Sequence, residues 1–240
     1  MHASNTHATR SIRVLKKLAT SLVALACAAG SVNAQQVRVL DFEGIATSGS
    51  APIGNYYNGG GGPNFGIEFF GNGLGINSQV GGCNGSGNFS HQPSGCGALF
   101  FLTGASTGMN RAAGFTTGFS LYYAAASFAG SLSVYSGING TGTLLASLGL
   151  PITGSGTNNP SCQFASFCFW SPVGVTFAGT AQSILFAGVE NRIAFDDVTF
   201  GSATPGVQPP TNSTVPEPST YALMTAGLLG VFAVRRRRRA

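Results

Sequence analysis

Charge is scarce in this sequence. Asp, Glu, Lys and Arg make up only 8% of its 240 residues, and the positive ones avoid the middle. From Gln35 to Ser202 there is no lysine, and the only arginines are Arg38, Arg111 and Arg192. The acids there are Asp41, Glu43, Glu68, Glu190, Asp196 and Asp197, so this stretch carries −3 although the whole chain carries +5. With no basic patch left to neutralise phosphates, nucleic acid is excluded as a partner. Histidine is nearly absent too, His91 being the single one in the stretch. Long amphipathic periodicity is missing, which excludes a helical bundle and the strand–helix alternation of a parallel sheet.

What is present is glycine, 36 residues of it, with 18 phenylalanines and many Ser, Thr and Asn. Glycine and small polar residues favour tight turns, while aromatic and β-branched residues favour strands. Nine runs read as strands: Val37–Phe42, Gly66–Phe70, Ala98–Leu102, Phe115–Tyr123, Ser131–Tyr135, Leu144–Leu148, Val173–Phe177, Ser183–Phe186 and Ile193–Phe200. Gly-rich turns separate them, as at Asn58–Pro63, Gly71–Gly75 and Gly137–Gly142. Short strands without crossover helices predict an all-β fold, an antiparallel β-sandwich of jelly-roll kind over residues 35–202. Phe, Leu, Ile and Val on two opposed sheets are expected to form its core.

The N-terminus explains part of the missing charge. Arg10, Arg13, Lys16 and Lys17 precede an apolar stretch from Leu18 to Ala29, and Val32-Asn33-Ala34 offers a signal-peptidase site. Residues 1–34 read as a secretory signal peptide, which makes signal peptidase and the export machinery partners. The alternative is a lipoprotein signal ending at Cys27, which the downstream cleavage site disfavours. Without Cys27 the mature chain has Cys83, Cys96, Cys162 and Cys168, an even number that points to disulfides in an exported protein. Closeness in sequence favours Cys83–Cys96 and Cys162–Cys168, each restricting the unfolded chain by about 2–3 kcal/mol. The rival reading, a zinc site using His91, finds no common ligand spacing.

The acids suggest a cation. Asp41 and Glu43 flank the end of the first strand, and Asp196 and Asp197 interrupt the last, where the alternation changes phase between Phe195 and Val198. Such a slip predicts a bulge. If first and last strands pair, these four carboxylates come together as a structural calcium site; the alternative is that they sit solvated at strand ends. No cofactor is otherwise required. Tyr56, Tyr57 and Trp170, with Tyr122 and Tyr123, are candidates for stacking on sugar rings, the alternative being core packing. Gly104-Ala105-Ser106-Thr107-Gly108 matches a nucleophile elbow but lacks the helix and the later histidine that the chemistry needs. No pair of carboxylates is singled out for glycosidase chemistry. The sequence predicts no catalytic residues.

The chain closes on three ordered features. Pro216, Glu217 and Pro218 come first, then an apolar run from Tyr221 to Val234, then Arg235, Arg236, Arg237, Arg238 and Arg239. The run spans about 21 Å as a helix, short of the roughly 30 Å hydrocarbon core, and the arginines mark its cytoplasmic side. A Pro-rich linker, 203–215, precedes it.

This order resembles the PEP-CTERM sorting signal of exopolysaccharide-producing Gram-negative bacteria. The resemblance implies that an exosortase-type membrane peptidase cuts near the triplet. A transient inner-membrane anchor is then released to the cell surface or the extracellular matrix. A plain, uncut membrane anchor is the alternative. The body resembles the sandwiches found ahead of such tails, and more distantly galactose-binding-type carbohydrate-binding modules. It does so in Leu40-Asp41-Phe42-Glu43-Gly44, Ile53–Gly60, Phe65-Gly66-Ile67-Glu68-Phe69, Val134–Gly137 with Asn139–Gly142, and Ile193–Gly201. That likeness implies extracellular polysaccharide as a partner, through either a structural role or a calcium-stabilised glycan-binding module.

Overall fold

The computed structural model describes residues 37–46 and 48–206. The signal peptide expected at 1–34, the sorting triplet, the apolar run and the arginines lie outside these residues. Among the described residues no helix is long and apolar enough to cross a membrane.

Twelve strands are described: β1 (Arg38–Leu40), β2 (Ser50–Pro52), β3 (Glu68–Phe70), β4 (Gly73–Asn77), β5 (Gly97–Phe101), β6 (Ser106–Phe115), β7 (Gly118–Ala125), β8 (Gly130–Tyr135), β9 (Leu144–Leu150), β10 (Ser171–Thr176), β11 (Ala181–Ala187) and β12 (Ile193–Phe200). They form two antiparallel sheets. One runs β10-β7-β12-β5-β4-β2 with β1 also on β12, and the other runs β3-β6-β11-β8-β9. The all-β sandwich expected from composition is the fold of the protein.

Three local expectations change. The Gly71–Gly75 turn ends early, because β4 begins at Gly73. A side chain on Gly75 would place its Cβ 2.8 Å from Ile45, so glycine is there for close packing rather than for a turn. The run Phe115–Tyr123 is two strands, broken at Thr117, whose φ of 73° turns the chain from one sheet to the other. β2 escapes any sequence pattern because it is a three-residue edge strand of Ser, Ala and Pro.

The sheets enclose an aromatic core that includes Phe42, Phe69, Phe101, Phe115, Phe119, Phe186, Phe195 and Phe200. Strand alternation puts Leu99 and Phe101 in it and turns Ala98 and Phe100 to the opposite face. That outer face of the larger sheet is itself buried. Phe89 and Phe167 cover it, packed on Phe100 with ring centroids 5.5 and 5.3 Å away. They come from the loops 78–96 and 151–170, the two segments that carry the cysteines. β12 is therefore buried along its whole length, on both faces.

Candidate functional site

Both cysteine pairs are disulfides as expected, Cys83–Cys96 and Cys162–Cys168. They brace the two covering loops, which also bind each other. Ser90 N–H donates to the Phe167 carbonyl at 2.9 Å and Ser90 Oγ to the Cys162 carbonyl at 2.7 Å. His91 lies against the second bridge, with Nδ1 3.4 Å from Cys168 Sγ. Among the described residues, His91, Cys162 and Cys168 are the one trio with ligand atoms within 4.8 Å of one another. Both sulfurs are bonded to each other, so this trio does not fit a metal ion.

The phase change in the last strand is a bulge. Asp196 pairs with Tyr122 and Thr199 with Ser120, so an extra residue of β12 fits opposite β7, and Asp197 takes φ 47°. Its cause is a change of partner: Phe195 pairs with β5, while Val198 to Phe200 pair with β1. Asp196 is fully buried there. Its carboxylate accepts from Ser94 N at 3.1 Å, from Ser94 Oγ at 3.3 Å and from Asp197 N at 2.7 Å. Burial, and then the charge of Asp197, push its carboxyl up to about 8. Asp197 is also raised, chiefly by burial and further by Asp41.

Glu43 faces another way. Its Oε1 accepts from the backbone N–H groups of Cys96, at 2.7 Å, and Gly97, which ties the first strand's exit to the end of the disulfide loop. Asp41 is exposed and accepts from Glu43 N at 3.2 Å. No three of Asp41, Glu43, Asp196 and Asp197 bring oxygens within 4.8 Å of one another. A calcium ion asks for about six to eight oxygens at about 2.3–2.6 Å. Glu43 and Asp196 already accept backbone N–H groups, while Asp41 and Asp197 lie near enough for the one to raise the other's carboxyl. β1 does meet β12, as the calcium reading needs.

The aromatic candidates are also engaged. Tyr57 is 1% exposed, edge-on to Phe42, and its hydroxyl accepts from Phe42 N at 2.8 Å. Burial pushes its phenol up as well. It is therefore a core residue and not a sugar platform. The Tyr56 hydroxyl donates to the Glu43 carbonyl at 3.0 Å, and Trp170 Nε1 donates to the Ser90 carbonyl at 2.9 Å. Both rings are half-buried. Ser106 of the apparent elbow opens strand β6 and no helix follows it.

A pocket that no sequence motif marks lies where four loops meet. It has a volume of about 270 Å³ and is lined by Asn88, Ser155, Thr157, Ser166, Asn191 and Arg192, with Phe167 as its largest apolar wall. Its polar groups form a chain. Asn88 Nδ2 donates to Ser166 Oγ at 2.8 Å, Ser166 Oγ lies 3.2 Å from Thr157 Oγ1, and that oxygen lies 2.8 Å from Ser155 Oγ. Asn88 also accepts from Ser166 N at 3.0 Å, holding the second disulfide loop against the first. Arg192 stands over Phe128, 5.8 Å from the ring centroid. These residues come from sequence positions more than 100 apart. The one hint in the sequence is Arg192 itself, a lone arginine beside asparagine in a stretch nearly free of cations.

Residues 214–238 match the family described as the PEP-CTERM protein-sorting motif. The chain carries that motif. No curated protein matches the chain. Among solved structures it is similar to the module CsCBM6-3 from Clostridium stercorarium in complex with cellobiose, at 16% identity and a TM-score of 0.33, covering 68% of this chain and 90% of that one. It is also similar to a family 11 carbohydrate-binding module from Clostridium thermocellum, at 11% identity and a TM-score of 0.33, covering 72% and 99%. A glycoside hydrolase family 43 arabinoxylan arabinofuranohydrolase from Bacillus subtilis is similar at 17% identity and a TM-score of 0.32; the match covers 46% of this chain but only 23% of that one.

Proposed function

We propose that the protein is exported from a Gram-negative bacterium, held briefly in the inner membrane, cut by an exosortase-type peptidase near Pro216-Glu217-Pro218, and released to the cell surface or the exopolysaccharide matrix. The observation that carries this is the sorting motif at 214–238. The physical chemistry of the tail agrees. A 14-residue apolar run is a marginal anchor at about 1.5 Å per residue, and five consecutive arginines fix its orientation. Two disulfides suit an oxidising destination.

The body is non-catalytic in this reading. Its one histidine faces a disulfide sulfur, and the buried Asp196 is enclosed by Ser94 and the bulge. A glycan-associated body is supported by the pocket, a preformed set of hydroxyls and amides at one site.

Intact mass, measured on the protein from its host in membrane and medium fractions, tests the sorting. The expected medium form lacks residues 1–34, ends near the triplet, and lies about 4 Da below its reduced mass, two hydrogens per bridge. A single membrane form that keeps Arg235 to Arg239 would leave a plain anchor instead.

A further inference from the structure

The pocket holds one charge. Arg192 is the only charged residue of its lining, and no acid lines it. The guanidinium makes no ion pair among the described residues; it stands over the face of Phe128, which limits its motion without using its donors. Glu190 sits on the same turn but outside the lining. The turn itself is fixed, with Arg192 N–H donating to the Val189 carbonyl at 3.1 Å and Asn191 N–H to the Phe101 carbonyl at 2.8 Å. Arg192 is thus a cation held at the mouth of a neutral pocket.

The neutral lining has its own preference. Ser155, Thr157 and Ser166 each both donate and accept, so each can take a further partner beyond the chain they form. The Asn191 side chain has no protein partner among the described residues and lines the pocket. Several dual donor–acceptors in one small space match the adjacent hydroxyls of a sugar ring better than they match a peptide or an apolar ligand. At about 270 Å³ the pocket falls just under the roughly 300–1,000 Å³ that takes a drug-sized ligand, the scale of one or two rings.

We infer that this pocket binds a carboxylate-bearing sugar residue, a uronate unit of an acidic polysaccharide, with Arg192 selecting the carboxylate and the hydroxyl–amide chain holding the ring. The inference rests on the glycan-associated reading of the body. A planar guanidinium pairs with a carboxylate through two parallel hydrogen bonds, which a neutral hydroxymethyl group cannot return. The body's net negative charge opposes a long polyanion but not a short oligomer in salt, where charges beyond about 10 Å are screened at 0.1 M.

The test is calorimetric titration of the full chain in mild detergent with matched trisaccharides, uronate against neutral, in the galacto, gluco and manno series. In at least one series the uronate is expected to bind about tenfold or more tighter than its neutral partner, the scale of one charge-assisted pair. Arg192→Ala is expected to bring the two partners to within about twofold of each other by lowering uronate binding more than neutral binding. Phe128→Ala lowers uronate binding by a smaller factor by freeing the guanidinium. Arg192→Lys keeps part of the preference, as a point charge without the fork. Equal binding of both partners, an equal loss for both in Arg192→Ala, or no binding in any series overturns the inference. None of these outcomes touches the sorting reading, which is decided by mass alone.

Discussion

Asp196 is a carboxyl that the fold holds away from water, and its titration works against the fold. Its pKa rises from 3.8 unfolded to about 8 folded, so between those values the folded protein binds the extra proton. Stability is therefore fully present below about pH 4 and falls as pH climbs towards 8, by at most about 1.4 kcal/mol per unit and a few kcal/mol in all. Asp197 is shifted the same way and adds to the slope. Ser94 N and Asp197 N bond to different oxygens of the carboxylate, so Asp196→Asn keeps an acceptor for only one of them and sets its NH2 against the other, but it has no proton to lose. Urea midpoints at pH 5, 6.5 and 8 are expected to fall for the native chain and to flatten for Asp196→Asn, whose lost acceptor lowers all three by a similar amount. Parallel slopes would show that the carboxyl is hydrated after all. At this scale some residues were legible. The phase change at Asp196-Asp197 announced a bulge, and short separations paired the cysteines. Tyr57 was not, because a tyrosine between glycine-rich turns reads alike whether its ring faces sugar or Phe42. The difference lies in a hydrogen bond to a residue 15 positions away.

Elements show a second division of labour. The large sheet has an inner face against the small sheet and an outer face covered by two disulfide-braced loops. Alternation in strands marks two faces but cannot say that both are buried, so this second cluster was invisible in sequence. Phe89 is its centre, fully buried against Phe100 and Trp170. Phe89→Ala is expected to cost about 3–5 kcal/mol, the range for removing a buried phenylalanine. The damage should also be local. Hydrogen exchange is expected to quicken in 78–96 and 156–168, while β6, β8 and β11 on the other sheet stay protected. Uniform loss of protection would mean that loops and sandwich unfold as one unit. The boundary of the domain is likewise an element property. Residues 203–206, expected as the start of a free linker, lie on the sheet: Gly206 N–H donates to Thr199 Oγ1 at 3.1 Å, and a Cβ on Gly174 would sit 2.0 Å from the Ala203 carbonyl. Pro205 suggested an extended chain, but nothing in composition says that an extended chain is docked.

At the scale of the whole molecule, charge is divided along the chain according to where each part is used. Nine of the twelve basic residues sit in the first 34 residues and the last five before Ala240, and the body between them, with three arginines and six acids, is acidic. In the proposed route the basic ends follow from the positive-inside rule, which would set the orientation of both apolar runs. The body needs no such signal, and it carries few charges. On the proposed sorting route, processing reverses the sign of the protein. The full chain carries +5, and a body cut after Ala34 and near Pro216 carries −3, or one less negative while Asp196 keeps its proton at about 8. At pH 7.5 in detergent the full chain should be retained by a cation exchanger, and the released form should pass through it and bind an anion exchanger. Replacing Pro216, Glu217 and Pro218 with alanine should leave only the cation-exchange species and empty the medium fraction. A secreted form that still binds the cation exchanger would carry its arginine run with it. Release would then come from some step other than cutting at the triplet, since a tail with five arginines is the part that cutting there removes.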